Sequence, residues 1–148
     1  VNVYRNHIPS IKLPADSLNV LRELSAKYTL ALLTDGFLPG QQLKVQSLEI
    51  EKFFKCIVYT EQLGREFWKP SPAGFEKIMQ KLNARPERMV YIADNEKKDF
   101  IAPNKLGFFT VQLILNACLH ASASAEPGAK AQFIIHKISE LPALLDRL

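Results

Sequence analysis

The chain has 148 residues, 47% hydrophobic and 23% charged, which is enough for one core and matches an ordinary soluble globular domain. No apolar run approaches the roughly 18 residues of a membrane span and no signal-peptide pattern stands at the N-terminus, so no membrane partner is expected. The net charge of +4 comes from 19 Lys and Arg spread among 15 acids without a block of like charge, which argues against a nucleic-acid surface.

In chain order, the first fifteen residues, with Pro9 and Pro14, read as an extended lead-in. Asp16 or Ser17 is the candidate cap of a helix whose apolar stripe is Leu18, Leu21, Leu24 and Tyr28. Residues 29–34 (TLALLT) and 56–60 (CIVYT) then read as short buried strands. Ser71 before Pro72 marks a second helix start, with Phe75, Ile78, Met79 and Leu82 at helical spacing. A third strand at 89–93 (MVYIA) is followed by a helix from Asp99 to Leu106 that stops near Gly107. Residues 108–113 (FFTVQL) and, more weakly, 132–135 (QFII) complete the strands. Between these two, 115–130 is rich in Ala and Ser and reads as a mobile loop; 139–148 reads as a terminal helix with Leu141, Leu144, Leu145 and Leu148 on one side.

Every strand is apolar on both faces rather than alternating, as strands of a parallel sheet covered on both sides should be. Strand and helix in turn predict an α/β fold. Cys56 and Cys118 lack ligand spacing, so two reduced thiols in a cytoplasmic protein are expected.

In open α/β sheets, binding groups collect at the carboxyl ends of the strands. The first strand ends in Thr34-Asp35-Gly36, a loop after the second reaches Trp68-Lys69-Pro70, and the third ends in Asp94-Asn95 with Asp99 shortly after. A Thr hydroxyl and the N–H groups of a Gly-containing turn can donate to phosphate oxygens, and a lysine offsets the charge that grows on them. Two neighbouring carboxylates repel unless a cation lies between them, and hard oxygen ligands suit Mg²⁺. Each residue alone has an ordinary structural reading: a β-favoured Thr, a solvated Lys, a helix-start acid. Their order along successive strand ends carries the weight.

That order resembles the haloacid dehalogenase-like (HAD) hydrolases, mostly Mg²⁺-dependent phosphatases. "LALLTDG" (residues 30–36) is similar to the family's second motif, "FWKPSPAGFEKIM" (67–79) to its third and "YIADNEKKDFIAPNKLGFFTV" (91–111) to its fourth. The stretch 40–64 is also similar, especially to the phosphoglycolate phosphatase-like branch. The resemblance implies a Rossmann-like three-layer sandwich in which residues 16–148 are a partial core and 1–15 a remnant of the cap or linker. It implies that Thr34, Asp35, Gly36 and Lys69 bind the phosphoryl group and that Asp94 is a metal ligand. It also implies that Thr34, Lys69 and Asp99 serve catalysis, Asp99 by supporting the metal or orienting Lys69. Ala93 departs from the Gly that commonly precedes the acid.

The larger departure is the first motif, Asp-x-Asp, which should precede Thr34 and supply the nucleophile. The only earlier Asp is Asp16, followed by Ser17-Leu18. No other acid substitutes, since Glu23 falls in a predicted helix and Asp35 belongs to the second motif. The expectation is therefore a sheet without its central strand and a chain that lacks most of the cap and is inactive alone. Its partners would be a small phosphorylated substrate and a polypeptide supplying the first motif, with self-association as another outlet for the open sheet. The alternative is a non-catalytic HAD-like domain that binds a partner protein or a phosphorylated ligand. A receiver-type domain fails because the acids follow the Lys, and dinucleotide binding fails because no Gly-x-Gly-x-x-Gly follows a strand.

Overall fold

A computed structural model describes residues 6–115 and 126–148. The elements alternate as the patterning predicts: α1 (Ala15–Lys27), β1 (Ala31–Thr34), α2 (Gly40–Ser47), β2 (Cys56–Tyr59), α3 (Ala73–Leu82), β3 (Val90–Ala93), α4 (Ile101–Leu106), β4 (Phe109–Leu113), β5 (Phe133–Ile135) and α5 (Leu141–Leu145). All five predicted strands are present, each trimmed by one or two residues at its ends. Cys118 and most of the predicted 115–130 loop lie outside the described residues. None of the described helices is long and apolar enough to cross a membrane.

Helix boundaries differ from expectation in instructive ways. Pro14, not Asp16 or Ser17, occupies the cap position of α1, and the Asp16 carboxylate instead accepts the neighbouring Ser17 N–H at 2.8 Å. Pro72 caps α3 rather than opening it, while Ser71 Oγ accepts the Ala73 N–H at 3.3 Å. Asp99 lies before α4, not at its start, because its carboxylate is spent elsewhere. The terminal helix is shorter than predicted: a 3₁₀ turn (Ile138–Glu140) leads into five α-helical residues, and Leu148 is exposed. Helix α2 carries little sequence signal, since Val45 is its one buried residue.

Every strand pair is parallel, but the strands form two sheets, β2–β1 and β3–β4–β5. Helices cover both faces. On one face α1 and α5 place Val20, Leu24, Leu141 and Leu144 against Val111, Ile135, Leu30, Val90 and Ile92, and α2 adds Val45 beside Leu21, Leu32 and Ile57. On the other face α3 and α4 place Phe75, Ile78 and Ala102 against Leu33, Val58, Phe108 and Tyr91. Both sheets contribute to the core under α3 and α4, and Leu30, just before β1, joins the core under α1 and α5, which makes a three-layer α/β sandwich.

Asn104 of α4 fixes the far edge. Its amide donates to Gly128 O at 2.7 Å and Lys130 O at 2.8 Å, and its oxygen accepts from the buried Thr110 hydroxyl at 2.7 Å. These bonds anchor the segment entering β5.

Gly74 sets how closely α3 can lie on β1. A Cβ there would stand 2.6 Å from Leu33 Cδ1 and 3.2 Å from Thr60 Cγ2, in a packed core. Gly74→Ala is therefore expected to destabilise the fold by about 1–3 kcal/mol through overpacking, outweighing the gain of about 1 kcal/mol in helix propensity. Urea unfolding measures this; an unchanged or raised midpoint would mean that α3 is not seated as described.

Candidate functional site

The carboxyl ends of β1, β2 and β3 emerge on one rim, and side-chain bonds tie them together. Asp35, directly after β1, is the joint. Its Oδ1 accepts the hydroxyl of the buried Thr60 at 2.8 Å and the backbone N–H of Lys69 at 3.3 Å, and its Oδ2 meets Lys98 Nζ at 3.4 Å. The Asp35 carboxylate is thereby occupied in bracing three loops. Thr60 Oγ1 also lies 3.2 Å from Thr34 O.

Lys69 enters the rim from the other side. Its ammonium, on a side chain only 10% exposed, lies 2.8 Å from Asp99 Oδ1 and donates to Tyr91 OH at 3.1 Å, with the Tyr91 ring 5.8 Å away. The Asp99 contact is an ion pair rather than an aligned hydrogen bond. Asp99 Oδ2 accepts the Asn95 N–H at 3.0 Å. Both Asp99 oxygens are therefore engaged, an arrangement that fits orienting Lys69 better than ligating a metal. Tyr91 is wedged edge-on against Phe75 and Phe100. Burial, reinforced by the charges of Asp99, Asp35 and Asp94, pushes its phenol far above the ordinary tyrosine range. The hydroxyl thus stays protonated and serves as a fixed neutral partner.

Thr34 and Asp94 complete the set. The Thr34 hydroxyl is loosely held, with Gln41 Oε1 at 3.3 Å and Asp35 O at 3.4 Å, both long for an O–H donor. It can be given up to a stronger acceptor such as a phosphoryl oxygen. Gly36 follows at φ +133°, with the Gln41 side chain against it, so an added Cβ there is strained by the backbone itself. Asp94 is exposed and no side-chain partner among the described residues holds its carboxylate, while its backbone oxygen accepts from Gln112 Nε2 at 3.3 Å. A free, hard carboxylate beside an occupied one is a donor set that fits part of a Mg²⁺ site, with Asp94 as the ligand. Among the described residues no group of three or more acids, histidines or cysteines forms a complete cage.

All the residues singled out from the sequence therefore fall on one continuous run, from Thr34 through Asp35, Lys69 and Asp99 to Asn95 and Asp94. Four contributors were not singled out: Tyr91, Lys98, Thr60 and Gln41. Tyr91 and Lys98 lie inside the fourth motif-like stretch, and only their contacts distinguish them. Two depressions flank α3, one lined by Leu63, Phe67 and Lys77 and the other by Pro70, Ile101 and Lys105, and neither is lined by the residues of the rim. Beside it, Arg65 stacks on Phe37 at 4.3 Å and Phe37 packs edge-on against Trp68 at 5.3 Å.

A model of the haloacid dehalogenase-like hydrolase family matches residues 2–113, and the chain belongs to that family. It is 35% identical over 97 residues to the glyceraldehyde 3-phosphate phosphatase of Methanopyrus kandleri, a match covering 66% of this chain and 40% of the relative. With the Pyrococcus furiosus protein of the same name it shares 25% over 136 residues, 92% of this chain and 55% of that one. The chain thus spans about half the length of the curated relatives it matches. Among solved structures, a magnesium-bound HAD-hydrolase from Bacillus subtilis superposes with a TM-score of 0.77 at 21% identity, covering 90% of this chain and 56% of that one. The three-layer fold agrees with that family's.

The buried ion pair leads to an ordered expectation. Lys69→Ala strands the Asp99 charge in a site 3% exposed and should cost about 3–5 kcal/mol in chemical denaturation. Tyr91→Phe removes one hydrogen-bond partner of the ammonium and should cost about 1 kcal/mol. Equal costs would show that the ion pair does not carry the packing around it.

Proposed function

We propose that these residues are the C-terminal part of a Mg²⁺-dependent HAD-type phosphohydrolase acting on a small phosphomonoester. The nucleophilic Asp-x-Asp comes from polypeptide outside the 148 residues. The observation that carries this reading is the Lys69 ammonium, pinned between Asp99 and Tyr91 on the rim that also holds Thr34 and the exposed Asp94.

In this reading Thr34 Oγ1 and the N–H groups after β1 donate to the non-bridging phosphoryl oxygens, and Lys69 offsets the charge that gathers on them. Asp99 and Tyr91 keep the lysine's free donor directed at that point, and Asp35 keeps the loops bearing Thr34 and Lys69 in register. Asp94 would hold part of a Mg²⁺ site, and the ion would supply further positive charge beside the phosphoryl oxygens. The supplied aspartate attacks phosphorus and the alcohol leaves with a proton from the second aspartate. Water then gives a proton back and releases inorganic phosphate. The relatives named as phosphatases support the reaction class.

The test is phosphate release from p-nitrophenyl phosphate. The 148-residue chain alone is expected to show none. Mixed with a polypeptide carrying Asp-x-Asp, it should gain Mg²⁺-dependent turnover that falls at least about a hundredfold in Lys69→Ala and Asp94→Asn, as loss of one charge-stabilising group does. A folded complex with no turnover would instead support a non-catalytic domain that binds a partner or a phosphorylated ligand.

A further inference from the structure

Gln41 brings an amide to a place where an apolar side chain would simply extend the core. Leu32 and Thr34 share one face of β1, about 6.6 Å apart along the strand. Val45 and Gln41 share one face of α2, about 6.0 Å apart along the helix. Leu32 packs in the same core as the buried Val45, and the next pair along is Thr34 and Gln41. That contact is made, with Thr34 Oγ1 3.3 Å from Gln41 Oε1. The matched spacing of strand and helix therefore delivers the amide to the carboxyl end of β1.

The amide also lies against the turn that follows. A Cβ at Gly36 would stand 2.6 Å from Gln41 Cγ and 2.7 Å from Cδ, and the Gln41 N–H donates to Phe37 O at 3.1 Å, which fixes the residue from behind. A threonine hydroxyl carries one proton and two lone pairs, whereas a glutamine amide carries one accepting oxygen and two N–H donors. As placed, the single Thr34 proton is shared between Gln41 Oε1 and Asp35 O, at 3.3 and 3.4 Å. Both distances are long for an O–H donor, so neither bond holds the proton firmly.

We propose that Gln41 is a positioning residue of the phosphoryl site that acts through Thr34 by turning its amide over. In the observed arrangement Oε1 accepts the Thr34 proton. When an anion arrives, the amide makes a half-turn and Nε2 donates to a lone pair of Thr34 Oγ1, so that the Thr34 O–H points to the anion instead. The half-turn exchanges oxygen for nitrogen at nearly constant volume and gives up only long bonds, so it costs little. A glutamate at this position could only accept and would keep the proton, while a methionine would leave the hydroxyl without a partner that directs it. That the anion is a phosphoryl group rests on the phosphohydrolase reading above; the coupling of amide and hydroxyl does not.

The probe is inorganic phosphate, titrated into the isotope-labelled chain while the N–H signals of Thr34, Gly36 and Lys69 are followed by NMR. Gln41→Met, neutral and of similar length, is expected to weaken phosphate binding about fivefold, the worth of one neutral hydrogen bond. Gln41→Glu, which keeps the shape and the accepting oxygen, should weaken it by more than about tenfold. In a Thr34→Val background the Gln41→Met change should alter the dissociation constant less than about twofold, because the amide then has no hydroxyl to direct. Gln41→Leu serves the same comparison if Gln41→Met loses the native spectrum. The side-chain amide pair of Gln41, recognised by its loss in the variants, should shift as phosphate binds to the native chain.

Native-like binding by Gln41→Met or by Gln41→Glu would make the amide a spacer and overturn the proposal. An equal loss in both Thr34 backgrounds would do the same, since the amide would then act without the hydroxyl. So would a Gln41 amide pair that stays in place at saturation. In each of these cases Thr34, Gly36 and Lys69 still respond to phosphate, and the phosphohydrolase reading stands. If those three signals do not respond in the native chain, that reading falls and the proposal falls with it.

Discussion

The site depends on a charge placed where charge is costly. Moving Lys69 and Asp99 out of water costs several kcal/mol for each ion, and their mutual attraction offsets this only with good geometry and further partners. Those partners are present: Tyr91 OH for the ammonium, the Asn95 N–H for the carboxylate, and the edges of Phe75 and Phe100 around the phenol. Because Asn95 holds Asp99, the turn after β3 is fixed, and that turn also sets the direction of Asp94. One buried pair therefore positions both the cationic and the anionic parts of the rim.

Asp35 extends this order to the loops after β1 and β2. Without it, Thr34, Thr60 and Lys69 would belong to three independent turns. With it, the Thr60 hydroxyl and the Lys69 N–H share a single carboxylate oxygen, and Lys98 covers the other. The rim is braced from below by the Gly74 contact, which lets α3 sit directly beneath Leu33 and Thr60. By contrast, among the described residues no backbone pairing joins β1 to β3 in the middle of the layer. The cores above and below span the two halves, so side-chain packing does there what a ladder of hydrogen bonds does elsewhere in the sheet.

Much of this was legible in the sequence. Uninterrupted apolar runs such as 29–34 and 89–93 marked the strands because strands buried on two faces need no polar alternation. Thr34, Lys69, Asp94 and Asp99 could be picked out because a parallel sheet brings successive strand ends to one edge. Helix α2 escaped notice because its Gly40 start and single buried Val45 leave no stripe. The starts of α1 and α3 were misplaced for a related reason: Asp16 and Ser71 satisfy local N–H groups without occupying the cap itself. The bracing role of Asp35, and those of Tyr91, Lys98 and Thr60, depend on contacts between residues 22 to 63 positions apart, which no local pattern encodes.

Asn104 has a bearing on how the chain can vary. Its amide grips the carbonyls of Gly128 and Lys130 and so defines the entry to β5 from the α4 side, independently of the route taken from Leu115. The last strand is thus seated from within its own neighbouring helix, so Asn104→Ala should unfasten the end of the sheet and leave the distant rim of Thr34 and Lys69 in place.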